Sequence, residues 1–329
     1  MGKHVAANAL TVLIVLCVAL AGLTLWGIHS FSAPGPLANP KLVVLERGVS
    51  LKDASETLER EGVIANAIIF RLGARYRGEA GAVKYGEYEI PAAATMEQVL
   101  DIVVSGQSIQ YKVTIAEGLT SWEVVEALRA NELLVGEIPS VPAEGALAPD
   151  TYFVARGSSR AELLARMEAA QSRILAAAWE MRDEDTPLRS PEEALTLASI
   201  IEKETAVAAE RPLVAGVFVN RLNRGMQLQS DPTIIYGITK GVGTLDRPIL
   251  RSDLTTPTAY NTYTIDRLPP GPIANPGRES ILAAVKPEKT DALYFVADGS
   301  GGHAFAATLR EHQKNVAAWR RIERSRPSE

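Results

Sequence analysis

The sequence predicts an α+β protein with an N-terminal transmembrane helix and a larger C-terminal α+β domain. Two observations support this class: a long uncharged stretch lies near the N-terminus of the 329 residues, and short strand patterns then alternate with amphipathic helix patterns. The length exceeds that of one small module, and a hydrophobic content of 47% excludes wholesale disorder. A single cysteine excludes a disulfide framework and a cysteine-based zinc site.

The uncharged stretch lies between Lys3 and Lys41, and within it residues 5–28 are apolar apart from one asparagine and two threonines. As a helix these residues would extend roughly 36 Å, enough to cross a hydrocarbon core of about 30 Å. We expect an uncleaved single-pass anchor; a cleaved signal and a buried soluble helix are the alternatives. The charge of Lys3 favours an N-terminus inside. In a bacterium this places the anchor in the cytoplasmic (inner) membrane and the body in the extracytoplasmic or periplasmic space.

Composition and patterning divide the chain into five predicted parts. A proline-rich linker ends the apolar segment, because proline cannot continue a helix. Strand and helix patterns then define two small α+β units before the longest part of the chain. The predicted parts are residues 1–31 (cytoplasmic tip and anchor), 32–40 (linker), 41–108 (first α+β module), 109–185 (second small α+β unit) and 186–329 (C-terminal domain).

Each small unit begins with a strand, a glycine turn and a capped helix, which is a weak internal repeat. The paired features are strands at residues 42–45 and 112–115, turns at Gly48 and Gly118, and helices opened by Ser50 and Ser121. The other predicted elements of these units are helices at residues 65–76, 95–104 and 159–181 and a strand at residues 85–88.

The polar residues fit few kinds of chemistry. A formal charge of −5 argues against nucleic acid as a partner, because phosphate binding requires clustered Lys and Arg. His303 and His312 lie away from the membrane segment, and neither belongs to a His-Glu-x-x-His motif, so we expect no metal site and no cofactor. A Gly-x-Ser-x-Gly elbow is absent, and Ser199 lies four rather than three positions before Lys203. Carboxylate chemistry remains.

One predicted helix in the C-terminal domain carries two candidate carboxylates. Ser190 is its expected N-cap, and Glu193 would complete a capping box. At about 100° per residue, Glu204 lies roughly 65° from the centre of the apolar arc and Glu202 roughly 95° on the other side. Burial at such an edge raises a carboxyl pKa toward that of a general acid. Periodicity mildly favours Glu204, but two solvated glutamates would give the same pattern.

A second amphipathic helix ends at Gly225, and polar residues then recur on loops, including an extended polar stretch at residues 228–233. Aromatic faces stack on pyranose rings, while amides and carboxylates bind hydroxyl and acetamido groups, so these loops suit sugar recognition. Structural turns would have the same composition. The candidate substrate-binding residues are Gln229, Asp231, Tyr260, Asn261 and Asn275. Residues 293–305 predict a hairpin, in which His303 is a loop hydrogen-bonding residue.

Taken together, these residues resemble the endolytic murein transglycosylases, membrane-anchored enzymes that cut nascent peptidoglycan glycan strands. The similarity also includes a Pro-Asp-Thr-Tyr element at residues 149–152, and residues 41–107 are similar to a LysM-like module. Two positions depart from the pattern: Ser230 replaces a more usual threonine, and residues 145–148 lack the expected aromatics. The matching blocks of the C-terminal domain are residues 198–211, 217–222, 225–237, 256–263, 268–277 and 294–305.

The resemblance implies that Glu204, which precedes the threonine of the Glu-Lys-Glu-Thr motif, is the catalytic acid. It would protonate the glycosidic oxygen between N-acetylmuramic acid and N-acetylglucosamine, and the C6 hydroxyl of the sugar would then close a 1,6-anhydro ring. One acid suffices for this route, so Asp231, the nearest candidate for a second carboxylate, is assigned to binding or loop structure.

The implied partners are glycan strands, the membrane that holds the anchor and peptidoglycan synthases, with no nucleic acid. A non-catalytic peptidoglycan-binding scaffold built on the LysM-like units is the alternative function. A hydrolase of the same substrate is a third interpretation.

Overall fold

The structure is a computed structural model that describes the backbone of residues 2–325, with the side chains of residue 8 and residues 10–324. It is a mixture of helices and short strands, which confirms the α+β class. The helices are α1 (Gly2–Ser32), α2 (Leu51–Arg60), α3 (Ala67–Tyr76), α4 (Met96–Ser105), α5 (Ser121–Ala130), α6 (Arg160–Glu180), α7 (Pro191–Glu204), α8 (Arg211–Asn223), α9 (Asp231–Thr239), α10 (Arg251–Thr255), α11 (Arg278–Val285) and α12 (Leu309–Ser325).

Strands pair two by two in the described part of the chain. They are β1 (Lys41–Leu45), β2 (Gly86–Ile90), β3 (Gln110–Thr114), β4 (Leu134–Val135), β5 (Thr151–Ala155), β6 (Ser158–Ser159), β7 (Tyr294–Ala297) and β8 (His303–Ala306). The pairs are β1 with β2, β3 with β5, β4 with β6 and β7 with β8.

Helix α1 contains an apolar segment, Leu10–Ser32, of 23 residues with a mean hydropathy of 2.4. The most apolar stretch of this segment is not buried against any described part of the protein. A segment of this length and exposure is consistent with a single membrane span. At its end, Phe31 lies directly against Gly73 of α3, where the absence of a side chain leaves room for the ring.

The contacts within the chain define two units, and the first comprises the residues up to Lys112 with Leu133–Val135 and Phe153–Ser158. Here β1 and β2 are antiparallel, with Val43 opposite Tyr88. The predicted N-cap is confirmed, because the Ser50 side chain accepts a hydrogen bond from the Asp53 N–H at 3.2 Å. The core of this unit is made of Val43, Leu45, Ala54, Leu58, Val63, Ile64, Phe70, Ala74, Tyr88, Ile90, Ala94, Met96, Val99, Leu100 and Val103.

The second unit comprises Val113–Glu132, Gly136–Tyr152 and the residues from Ser159 onward. Helices α7, α8 and α11 pack on one another in its centre. The predicted hairpin is present as β7 and β8, with Tyr294 opposite Ala306. The five-part division drawn from the sequence stays a prediction. The core of the unit includes Leu188, Ala194, Leu197, Ala198, Ile200, Ile201, Val214, Ala215, Phe218, Leu222, Leu228, Ile273, Ile281 and Ala284.

Three local predictions differ from the structure. The prediction that Ser121 caps its helix is wrong, because the N-cap of α5 is Thr120, whose side chain accepts from the Glu123 N–H at 3.2 Å. The prediction of an extended stretch at residues 228–233 is wrong in part, because α9 begins at Asp231; an acidic residue and a proline are both favourable in a first helical turn. Ser190 caps α7 as predicted, accepting from the Glu193 N–H at 3.3 Å. Glu193 does not complete the capping box, because its carboxylate accepts from the Arg189 N–H at 2.9 Å instead.

Candidate active site

Helix α7 presents Glu204 at its C-terminal end. Its apolar face, which includes Ala194, Leu197 and Ile201, is buried in the centre of the second unit. The helix ends because Thr205 is extended, with φ −137°, and its N–H closes the last turn on the Ile201 carbonyl at 3.3 Å. Glu204 is therefore fixed by a rigid helix at the boundary between the core and an open cleft.

The cleft has a volume of about 460 Å³ and lies entirely within the second unit. It brings together three of the sequence-predicted residues: Glu204, Gln229 and Asp231. A cleft with a few convergent polar groups is typical of a ligand site. Its lining residues are Glu204, Arg221, Leu228, Gln229, Asp231, Tyr263, Tyr294, Phe295, Val296, Leu309, His312 and Val316.

The environment of Glu204 favours its protonated form. Burial raises the pKa of this carboxyl from 4.5 to about 7, because the ionised form loses its hydration. The hydroxyl of Ser230 opposes the rise, the negative charge of Asp231 adds to it, and His303 and Arg221 oppose it. A carboxyl with a pKa near neutrality can both donate and accept a proton at the working pH, which is the property of a general acid and base.

Glu202, the other glutamate of the motif, is bound on both oxygens. Its Oε1 lies 3.0 Å from Arg211 Nη2, and its Oε2 accepts the Gly277 N–H at 2.9 Å. Its side chain is only 5% exposed. Arg211 also pairs with Glu117 at 2.7 Å. Glu202 is thus bound into the structure, and of the two glutamates of the motif Glu204 is the one that faces the cleft.

The segment that carries Gln229 and Asp231 is fastened to the loop around Thr262. Gln229 adopts the left-handed conformation, with φ +52°, and donates its N–H to the Thr262 carbonyl at 3.1 Å. The Ser230 N–H donates to Thr262 Oγ1 at 2.9 Å, and the hydroxyls of Thr262 and Thr233 are 2.8 Å apart. These bonds hold both cleft residues in place.

Arg221 provides a fixed positive charge in the cleft. It is 8% exposed, and its guanidinium donates to the main-chain carbonyls of Leu293 at 2.7 Å, Leu228 at 2.9 Å and Gln227 at 3.2 Å. The guanidinium also lies over the ring of Tyr294, 5.2 Å from its centroid. Burial lowers the pKa of Arg221, which nonetheless stays charged near neutrality.

The structure does not bring the other three predicted residues to the cleft. Asn261 is 1% exposed, and its amide donates to the carbonyls of Thr256 at 2.8 Å and Asp253 at 3.0 Å. Asn275 is fully buried and accepts the Leu147 N–H at 2.9 Å. Tyr260 packs on Tyr236, with ring centroids 4.8 Å apart. Their predicted contact with substrate stays a prediction.

Sequence reasoning missed Arg221, Tyr263, Tyr294 and His312 as cleft residues. A signal existed for Arg221, because it follows Val217 and Phe218 at helical spacing and so lies on the apolar stripe of α8. A charged residue on such a stripe is buried only with partners, which makes it a candidate for a special role. His303 is a hydrogen-bonding residue as predicted, but the prediction that it lies in a loop is wrong, because it is the first residue of β8. Its Nδ1 and its N–H bind the carboxylate of Glu210, which is distant in sequence, at 2.7 and 2.8 Å.

The second unit is thus an α+β domain that presents one desolvated carboxyl as a potential general acid in an open, polar cleft. The sequence matches the YceG-like family over residues 43–318. The chain belongs to the YceG-like family.

Curated relatives and a solved structure agree with this membership. The endolytic murein transglycosylase of Bacillus subtilis (strain 168) is 31% identical over 301 residues, and the match covers 81% of this chain and 81% of that protein. The endolytic murein transglycosylase of Streptococcus pneumoniae serotype 2 (strain D39 / NCTC 7466) is 28% identical over 96% of this chain, which spans 65% of that protein. A crystal structure of a YceG-like protein from Listeria monocytogenes superposes with a TM-score of 0.53 at 30% identity, covering 84% of this chain and 98% of that one.

Proposed function

We propose that this chain is a membrane-anchored endolytic lytic transglycosylase. It cleaves the bond between N-acetylmuramic acid and N-acetylglucosamine in nascent glycan strands, leaves 1,6-anhydro ends and so terminates strand elongation. The observation that carries the proposal is the desolvated carboxyl of Glu204, with its pKa raised to about 7, in the open cleft of a chain whose relatives are named endolytic murein transglycosylases.

The reaction needs one proton donor that later takes a proton back. Protonated Glu204 gives its proton to the glycosidic oxygen, the bond between C1 and that oxygen breaks, and the bonding electrons leave with the oxygen. Positive charge then develops on C1 and the ring oxygen of the muramyl residue. The C6 hydroxyl oxygen attacks C1, its proton returns to the Glu204 carboxylate, and the enzyme is regenerated without consuming water.

The remaining parts of the chain keep this chemistry near its substrate. The apolar segment Leu10–Ser32 anchors the protein in the cytoplasmic (inner) membrane with the N-terminus inside and the body outside. Residues 41–108 form a LysM-like module that binds the glycan strand. The proposed protein partners are the peptidoglycan synthases that make nascent strands. Gln229 and Asp231 contact the sugar in the cleft.

Digestion of peptidoglycan by the full chain in detergent micelles, with mass spectrometry of the products, tests the function. We expect the wild type to release anhydro-ended fragments and Glu204→Gln to release none. Glu192→Gln is the matched control, because the side chain of Glu192 is exposed in the first turn of α7 and the substitution should leave the activity unchanged.

The products also separate the other interpretations. Full activity of Glu204→Gln would contradict the assignment of the acid. Reducing rather than anhydro ends would identify a hydrolase. Binding of glycan by the wild type with no cleavage would identify a non-catalytic scaffold.

A further inference from the structure

We propose that Asp231 is a second catalytic residue, whose carboxylate stabilises the positive charge that develops on the muramyl ring, and that Tyr263 is the residue that positions it. This inference rests on the proposed function and deepens it. The sequence alone assigned Asp231 to binding or loop structure, since one acid is enough to move the proton. The geometry of the cleft gives it a more specific task.

Asp231 and Glu204 face the same cleft from different elements. Asp231 is the first residue of α9 and is exposed, whereas Glu204 ends α7 and is desolvated. Asp231 lies in the first turn of α9, where main-chain N–H groups that have no partner within the helix can interact with a ligand or a carboxylate. Its charge also acts on Glu204, whose pKa it helps to raise. The two carboxyls therefore lie in different environments, one desolvated and one exposed, as is found where an acid and a charge-stabilising carboxylate share a site.

A purely structural role for Asp231 has little support. An aspartate at the start of a helix usually accepts a main-chain N–H as a cap. In α9 the N-cap is Ser230, and no side chain caps the helix by a hydrogen bond. Within the described chain, the one hydrogen bond of the Asp231 carboxylate comes from Tyr263, on a separate loop. The second carboxylate oxygen is therefore available to a ligand in the cleft.

Tyr263 fixes the direction of this carboxylate. Its Oη donates to Asp231 Oδ1 at 2.6 Å. Burial and the hydrogen bond to Asp231 both raise the pKa of Tyr263, so the phenol stays protonated and remains a donor. Tyr263 directly follows Thr262, which fastens the Gln229–Ser230 backbone. The same loop thus holds both the main chain that precedes Asp231 and its side chain.

The backbone before Asp231 is strained in a way that serves this placement. Gln229 is a non-glycine residue in the left-handed region, with φ +52°. Such conformations are unfavourable for a residue with a side chain and persist where surrounding contacts enforce them, often at functional sites. Here the enforcing contacts are the bonds from Gln229 and Ser230 to Thr262. The strained residue therefore lies in the segment that directs Gln229 and Asp231 into the cleft.

In the reaction Asp231 takes no proton and forms no bond. The proton moves from Glu204 to the leaving oxygen and later from the C6 hydroxyl back to Glu204. Between these steps the muramyl ring carries a positive charge, and a fixed carboxylate lowers the energy of that state more than it lowers the energy of the neutral substrate. If Asp231 instead activated water, the products would carry reducing ends.

The test compares the full-length wild type with Asp231→Asn, Tyr263→Phe and the double variant on uncross-linked glycan strands, with product masses, kcat, KM and pH profiles. We expect kcat of Asp231→Asn to fall on the order of 10²-fold with little change in KM, because the charge acts in the transition state. The basic limb of its pH profile should move to lower pH, since a charge that raises the pKa of Glu204 is removed. Asp185→Asn, at an exposed position, is the matched control.

Tyr263→Phe should lower kcat about 10-fold, and the double variant should be no slower than Asp231→Asn, because Tyr263 acts through Asp231. Thermal unfolding of each variant checks that it is folded. If Asp231→Asn does not fold, the kcat of Tyr263→Phe tests the inference instead. A kcat within threefold of the wild type, a change confined to KM, or multiplicative losses in the double variant would overturn the inference. A wild type that makes no anhydro ends would overturn the proposed function instead.

Discussion

Arg211 binds Glu202 with an Nη2–Oε1 distance of 3.0 Å, and both side chains are at most 10% exposed. This pair separates the two glutamates of the Glu-Lys-Glu-Thr motif, which differ little by sequence. The arginine neutralises Glu202 and, through Glu117, links α8 to the chain before α5. Among the described residues, Glu204, two residues further along α7, forms no ion pair with an arginine, and its pKa is raised.

The pair predicts different consequences for substitutions of the two glutamates. Glu202→Gln should lower the free energy of unfolding by about 1–3 kcal/mol, because it leaves a buried guanidinium with one carboxylate fewer. Once folded, the variant should retain most of its transglycosylase activity. Urea denaturation and glycan digestion below the unfolding transition check both parts. Unchanged stability, or loss of activity in a fully folded variant, would contradict this role.

Glu204 should make stability depend on pH. Its folded pKa of about 7 lies above the ordinary value of 4.5, so the folded state binds this proton more tightly than the unfolded state. The stabilisation is complete below about pH 4.5 and is lost as the pH rises through about 7. Glu204→Gln carries no titrating group there, so its melting temperature relative to the wild type should increase between pH 5 and pH 8. A difference independent of pH would show that Glu204 is not desolvated.

Arg221 should be essential for the folded cleft. Arg221→Met removes the donor from three main-chain carbonyls and should cost about 2–4 kcal/mol of stability. Arg224→Met, three residues further on and exposed, is the control and should change stability little. Equal melting temperatures for the two variants would show that the bonds of Arg221 contribute nothing net.

Removal of the proposed anchor should move the protein from the membrane fraction to the soluble fraction. A variant lacking residues 1–29 keeps Phe31, which packs on the first unit, and should remain soluble with an unchanged melting temperature. The full chain should stay with the membrane after carbonate extraction, and its intact mass should still include the apolar segment. A mass that lacks the segment would indicate a cleaved signal, and a truncated chain that still pellets would indicate another attachment.

Local sequence signals predicted much of the fold. Apolar periodicity and capping residues located α2, α3, α4, α6, α7 and the β7–β8 hairpin to within a few residues. These features depend on neighbours in the chain, as when Ser50 caps its own helix through the Asp53 N–H. The start of α9 at Asp231 was missed, because the polar residues of a first helical turn also suit an extended loop.

The sequence by itself determined the α+β class, the long apolar segment and the choice of Glu204 as the leading candidate acid. Helical periodicity gives the direction of a side chain on its own helix, but not what packs against it. Only the tertiary structure decided that Glu202 pairs with Arg211 and that Arg221 and Tyr263 line the cleft. It also decided that the side-chain amides of Asn261 and Asn275 form hydrogen bonds with main-chain groups. Each of these outcomes depends on burial and on partners distant in sequence, because desolvation and hydrogen bonding set what a polar group can do.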